Sequence, residues 1–264
     1  MSRHHDNRIR PFKTEFLDGI DMKRRPNRLA IFLTAMVVAV VLVILCGRPI
    51  VSRMKLFFSQ RRSVDDVIRE YAAAAHARFA PSFETAGVVY PPSRLALLAM
   101  KSERMLEVWA DDGNGWKFIR SYPIQAASGK FGPKLREGDR QVPEGIYLIA
   151  GLNPNSSYHL SMKLDYPNEF DRRHAAADGR TNLGGDIFIH GKSASVGCLA
   201  MGDPAIEELF VMVHDTGQTK VDVAVAPGDP RANDLHPQPG EPAWVSELYE
   251  TIATFFLPFV RGSL

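Results

Sequence analysis

Between Leu29 and Cys46 the chain runs through LAIFLTAMVVAVVLVILC, 18 residues without a charge. As a helix, such a stretch is long enough to cross the hydrocarbon core of a bilayer. A helix of this length in a water-soluble domain would carry a polar stripe, and this one has none. The run therefore predicts a transmembrane helix over residues 29–46. Cleavable signal peptides have a shorter apolar region and a small-x-small cleavage site. Here 28 residues lead up to the run, and Gly47-Arg48-Pro49 follows it. Leu45 stands where a lipoprotein signal needs a small residue, so Cys46 reads as a thiol within the membrane.

Flanking charge gives the orientation. Arg3, Arg8, Arg10, Lys13, Lys23, Arg24, Arg25 and Arg28 precede the run, and Arg48, Arg53, Lys55, Arg61 and Arg62 follow it. The bias favours a cytoplasmic basic tail over residues 1–28, with the rest of the chain in the periplasm and the anchor in the inner membrane. The formal net charge of +2 hides this division. Residues 1–62 carry 13 Lys/Arg against 4 Asp/Glu, a net of +9; residues 63–264 carry 19 against 26, a net of −7. An acidic exported part argues against a nucleic-acid partner. With 45% hydrophobic and 23% charged residues the chain is of globular composition, and two cysteines exclude a disulfide-stapled scaffold.

Residues 47–93 read as a juxtamembrane spacer containing a helix from Ser63 to Ala80, with Ser63 as N-cap, Asp65 and Asp66 in the first turn and Pro81 as its end. From Arg94 the texture changes to short strands and turns, with strands over 94–100, 105–110, 116–124, 146–150, 158–164, 186–190 and 221–226. Gly129 to Gly145 reads as a loop. Pro204 to His214 reads as a helix, with Asp203 as N-cap. A mainly β, sandwich-like or barrel-like domain with one or two packed helices is expected over residues 94–227. Residues 228–264 form a Pro-rich linker and an amphipathic helix. Trp244, Leu248, Ile252, Phe255, Phe256 and Phe259 share one face of it, suited to docking on the domain or to a membrane surface.

One segment carries chemistry: Asp186 to Asp203, DIFIHGKSASVGCLAMGD. A histidine, His190, ends a short apolar strand, and Cys198 follows eight residues later, ahead of a capped helix. A helix N-terminus and a nearby imidazole both lower a thiol pKa, and the thiolate is the nucleophile. Gly197 permits close backbone approach, and the Gly197 and Cys198 amides could face an oxyanion. The residues alone also allow an inert buried cysteine with a packed histidine. A zinc site from His190, Cys198 and His214 lacks closely spaced ligand pairs. His159 lies in a strand and reads as structural; His174 reads as part of a charged loop.

The same segment resembles the signature of YkuD-type L,D-transpeptidases, in which a His-Gly at a strand end precedes Ser-x-Gly-Cys. KSERMLEVW, YPIQAASGKFGPKLREGDRQVPEGIYLI, NPNSSYHLSMKLDYPNEFD and GCLAMGDPAIEELF extend the likeness, toward the YafK-like branch. The resemblance covers Arg94 to Pro227. It implies a mainly β catalytic domain acting on peptidoglycan stem peptides at meso-diaminopimelate, with no metal or organic cofactor. Cys198 is then the nucleophile and His190 the proton donor and acceptor. Gly191 supplies a main-chain carbonyl that orients His190, and the Gly197 and Cys198 amides form the oxyanion hole. Ser195 and Arg180 are expected to meet the substrate, whereas Lys130, Lys134, Arg136 and Arg140 read as a solvated charged loop.

Two positions depart from the family pattern. Val196 replaces the second histidine of Ser-His-Gly-Cys, and Ala200 stands where many members carry Arg or Asn. Both bear on the donor, so its identity stays open. The resemblance implies acyl transfer through a Cys198 thioester, in L,D-transpeptidation and cell-wall remodelling. With water as acceptor the same pair gives an amidohydrolase that cleaves stem-peptide bonds or the bond joining peptidoglycan to an outer-membrane lipoprotein. A catalytically silent wall-binding module is the alternative of a different class.

Overall fold

A computed structural model describes residues 61–261, together with residues 32–33 and 36–38 of the apolar run. The rest of the run 29–46, and the tail before it, lie outside the described residues. Phe32, Leu33, Met36, Val37 and Val38 are helical and exposed. Among the described residues no helix is long and apolar enough to cross a membrane. The chain divides into two compact units, Met1–Gln60 and Arg61–Leu264; everything below concerns the second.

Nine strands give this unit its mainly β character. They are β1 (Arg94–Met100), β2 (Met105–Asp111), β3 (Trp116–Pro123), β4 (Ala126–Ala127), β5 (Gly145–Ser156), β6 (His159–Leu164), β7 (Phe188–His190), β8 (Leu199–Ala200) and β9 (Val221–Ala226). Their order in the sheet is β3-β2-β1-β9-β5-β6-β7-β8-β4. β1 is apolar from Leu95 to Met100 because both its faces are covered. Leu95, Leu97 and Ala99 enter the larger core, whereas Ala96, Leu98 and Met100 enter a second core on the other side. β5 is long and carries two register shifts against β6, between Ile149 and Gly151 and between Asn153 and Ser156. It pairs with β9 through its first half and with β6 through its second, so it links the two halves of the sheet.

Four helices pack on this sheet: α1 (Val64–Ala86), α2 (Glu169–Ala177), α3 (Asp203–Thr216) and α4 (Val245–Phe256). Ser63 caps α1 in a capping box with Asp66, as the sequence predicts, but the helix does not stop at Pro81. It runs five residues past that proline to Ala86, because Phe79 and Phe83 bury on the same face and stack edge-on at 5.6 Å. α1 is part of the folded unit: Arg78 pairs with Glu207 and Glu208 of α3 at 3.1 and 2.7 Å.

The remaining differences from expectation are local. α2 occupies a stretch read as a charged loop, so His174 is buried and stacks on Trp244 at 4.8 Å between centroids. α3 begins at Asp203, with Gly202 rather than Asp203 in the N-cap position. The Asp203 carboxylate instead accepts from the Lys192 amide at 2.8 Å. α4 lays Val245, Leu248, Tyr249, Ile252 and Phe256 into the second core beneath β1 and β9, with Phe259 alongside. Each such side chain contributes about 1.5–3 kcal/mol when fully buried. That face is committed to the domain rather than to a membrane surface.

Candidate active site

The site is built at the short parallel pair β7–β8. Ile189 pairs with Leu199 and His190 with Ala200, and the eight-residue connection between them, residues 191–198, carries the Cys198 turn. Register partners in a sheet share a face, and alternate residues return to it. Cys198 lies one residue before Leu199, in the turn that leads into β8 beside the β7 strand that ends at His190. Its sulfur lies 3.8 Å from the Asp186 carbonyl. The strand is held in place behind His190: Met201 N–H donates to the His190 carbonyl at 2.8 Å, and Gly191 N–H to Leu160 O at 3.1 Å.

His190 is 2% exposed. Its Nδ1 lies 2.6 Å from the Gly191 carbonyl oxygen. A carbonyl can only accept, so Nδ1 carries the proton and Nε2 presents a lone pair. Gly191 is required here by space. A Cβ would stand 2.6 Å from Asp203 Oδ1 and 2.7 Å from the Tyr158 carbonyl.

The Cys198 turn is clasped by two serines. Ser195 Oγ donates to the Cys198 carbonyl at 2.6 Å and accepts from the Cys198 amide at 3.2 Å and the Ser128 amide at 3.3 Å. Ser128 Oγ accepts from the Gly197 amide at 2.5 Å and donates to the Arg140 carbonyl at 2.8 Å. Both amides expected to form an oxyanion hole are therefore capped by hydroxyls in this structure. Gly197 adopts φ +94°, which only glycine takes without strain, and this aims its amide at Ser128. Ser128 is a contact of the Cys198 turn that sequence reasoning missed. Its only signal was a Ser-Gly at the start of the Gly129–Gly145 loop, and nothing in the spacing ties that loop to residue 197.

The ionisation states differ from expectation. Burial pushes the Cys198 thiol above its ordinary range, and the Asp186 carboxylate adds to this; a bond from the Phe188 backbone and the Lys134 charge oppose it only in part. β8 and Met201-Gly202 stand between Cys198 and the start of α3. Burial holds His190 below its ordinary value, with partial compensation from the Gly191 carbonyl. Both shifts favour the neutral forms, a thiol and an imidazole. Alkylation of Cys198 by iodoacetamide, followed by peptide mass spectrometry, should keep accelerating from pH 7 through pH 9, past the free-thiol value of about 8.5. A rate plateau reached below pH 7 would show a preformed thiolate and contradict this picture.

Arg180 is engaged within the fold. Its Nε and one terminal nitrogen bond the Asp178 carboxylate at 3.0 and 2.9 Å, the other terminal nitrogen bonds the Leu135 carbonyl at 3.0 Å, and the guanidinium lies over Trp244 at 5.6 Å. Lys134 is likewise buried and bonded to Asp139. Arg140 is exposed, at φ +55°. Its Cα would lie 3.9 Å from a Cβ on Gly197. His159 is structural, as expected, bonding Glu207 at 3.0 Å. His214 sits at the end of α3 and bonds Asp215 at 2.8 Å. Val196 is 66% exposed, and Ala200 is buried.

Comparison with known proteins matches residues 95–223 to the YkuD family model, described as an L,D-transpeptidase catalytic domain. Over 132 residues the chain is 36% identical to YafK of Escherichia coli (strain K12), covering 48% of this chain and 51% of that protein. The chain thus spans about half the length of the curated relatives it matches. Among solved structures, the helical cell shape determining protein Pgp2 from Campylobacter jejuni is 26% identical, with a TM-score of 0.42 over 52% of this chain and 48% of that one. L,D-transpeptidase 1 of Mycobacterium tuberculosis is 16% identical, with a TM-score of 0.30 over 50% and 62%.

Proposed function

Residues 95–223 belong to the YkuD-type L,D-transpeptidase family, on its YafK-like branch, and from that premise we propose that the chain is a cysteine acyltransferase acting on peptidoglycan stem peptides at meso-diaminopimelate. The observation that carries this reading is the Nδ1–H bond from His190 to the Gly191 carbonyl. It leaves the Nε2 lone pair of His190 available as a base at the end of β7, with Cys198 at the entry to the paired strand β8, and a neutral thiol needs such a base.

The chemistry follows from that arrangement. The Cys198 sulfur adds to the carbonyl of the L-centre of diaminopimelate as its proton passes to His190 Nε2. The carbonyl oxygen becomes an oxyanion, which the Gly197 and Cys198 amides bear, with the Ser128 and Ser195 hydroxyls yielding those donors as it enters. Collapse of the adduct breaks the peptide bond, and His190 returns its proton to the departing D-alanine amine. An acceptor amine then attacks the thioester, again giving its proton to His190, and Cys198 leaves as the thiol. Water in place of the amine makes the reaction a hydrolysis. The exposed Val196 beside the nucleophile favours keeping that second reading, since it leaves no second imidazole in the turn. It extends to the bond that joins a lipoprotein to peptidoglycan.

We also place the chain in the inner membrane through residues 29–46, with the catalytic unit in the periplasm. The uncharged run and the division of charge on either side of residue 62 support this. Incubation with tetrapeptide muropeptides and with lipoprotein-linked muropeptides tests the activity. Mass spectrometry should show a cross-linked dimer or an exchanged D-amino acid for transfer, or released tripeptide for hydrolysis. Unchanged substrates together with retained wall binding would favour a silent module.

A further inference from the structure

The tip of the β5–β6 hairpin brings an aromatic ring to the imidazole. The Tyr158 and His190 ring centroids are 4.5 Å apart, with planes tilted by 39°. Tyr158 is 41% exposed, whereas His190 is almost wholly buried. Several contacts fix the tip. Tyr158 N–H donates to Ser156 Oγ at 3.1 Å, and Lys192 Nζ donates to the Ser157 carbonyl at 2.7 Å. The Tyr158 carbonyl lies against Gly191 closely enough to exclude any side chain there. The next residue, His159, takes φ +74°, and its ring goes to Glu207 and edge-on to Tyr71 at 5.5 Å.

Strained backbone of this kind is concentrated around the site. Of the five non-glycine residues with positive φ among the described residues, four are Arg140, His159, Asp186 and Lys192; Arg140 borders Gly197, and the other three border the His190 strand or the tip packed on it. Such conformations persist only where the surroundings impose them. At His159 the turned backbone gives two adjacent rings different destinations, His159 to α3 and α1, and Tyr158 to His190.

We propose that Tyr158 is a positioning residue for His190, holding the imidazole at the tilt from which Nε2 reaches Cys198. The hydrogen bond to Gly191 fixes one ring atom and leaves the ring free to rock about it. A second ring against its face removes that freedom, as offset aromatic pairs do. The inference rests on the reading of His190 as the base for Cys198, and it assigns the effect to the ring of Tyr158 rather than to its hydroxyl.

The test uses the full chain and the rate at which iodoacetamide alkylates Cys198 at pH 7, followed on the Cys198 peptide. His190→Ala should slow alkylation. Tyr158→Leu should slow it by about tenfold, the change an aromatic pair of ordinary strength converts to. Tyr158→Phe should restore the rate. Melting temperature should be nearly unchanged in the two Tyr158 variants, and Tyr158→Met provides a second non-aromatic variant should Leu unfold the protein. A normal rate in Tyr158→Leu beside a slow His190→Ala overturns the inference and leaves the Cys–His reading standing. Equal slowing in Leu and Phe assigns the effect to the hydroxyl and also overturns it. A normal rate in His190→Ala removes the Cys–His reading and the inference together.

Discussion

Cys198→Ala is expected to lower turnover of a stem-peptide substrate by about 10⁴-fold or more, as removal of a covalent nucleophile does. Thermal stability should change little. The thiol bonds the Asp186 carbonyl at 3.8 Å and the Phe188 backbone, whereas the turn itself is held by backbone groups and the two serine hydroxyls. The bonds that hold the turn survive the substitution. The comparison is made by steady-state turnover and by thermal melting of both proteins. Residual activity within about tenfold of wild type would mean that the acyl group passes through some other residue.

Lys101→Met should cost about 3–5 kcal/mol of stability, because it leaves a buried carboxylate without its counter-charge. The Lys101 and Glu144 side chains are 6% and 0% exposed and stand 2.8 Å apart. Burial depresses the Lys101 pKa, and Glu144 followed by Glu241 opposes this. Nζ also bonds the Lys130 carbonyl at 2.8 Å, and Glu144 accepts from the Gly132 amide at 2.8 Å and from the Tyr249 hydroxyl of α4 at 2.9 Å. The pair therefore ties the 129–142 loop to β1 and to the C-terminal helix, and that same loop supplies the Arg140 carbonyl that holds Ser128. Urea denaturation measures the loss. Lys101→Met combined with Glu144→Gln should recover part of it, since the orphaned charge is removed along with its partner.

The sequence made the strands and the chemical motif readable for identifiable reasons. β1 from Leu95 and β9 from Val223 are continuous apolar runs because both faces are buried, and the β2–β3 turn advertises itself through Asp111-Asp112-Gly113-Asn114-Gly115. His190, Gly191, Gly197 and Cys198 lie within nine residues, so a local motif could bring them together. Other features were hidden because their cause is not local. α2 offers Phe170 and three alanines but no clear apolar stripe, and depends on the Asn168–Asp171 capping box and on packing of His174 against Trp244, 70 residues away. The continuation of α1 past Pro81 depends on the burial of Phe83.

The ionisation of Cys198 also depends on non-local packing. Sequence distance to a helix suggested a lowered pKa, whereas desolvation by the folded chain raises it. Arg180 looked available to a substrate carboxylate, but Asp178, Leu135 and Trp244 take up its guanidinium. Ser128 and Tyr158 are 69 and 32 residues from the groups they touch, the Gly197 amide and the His190 ring respectively, and only the folded sheet brings them there.

The account stands most directly on the thioester. The purified chain, mixed rapidly with a tetrapeptide muropeptide, quenched in acid and digested, should yield a Cys198 peptide carrying the donor fragment shortened by D-alanine. Hydroxylamine should remove that fragment, as it does thioesters. Turnover of the muropeptide with unmodified Cys198 at every time point, or with the fragment on another residue, would contradict it.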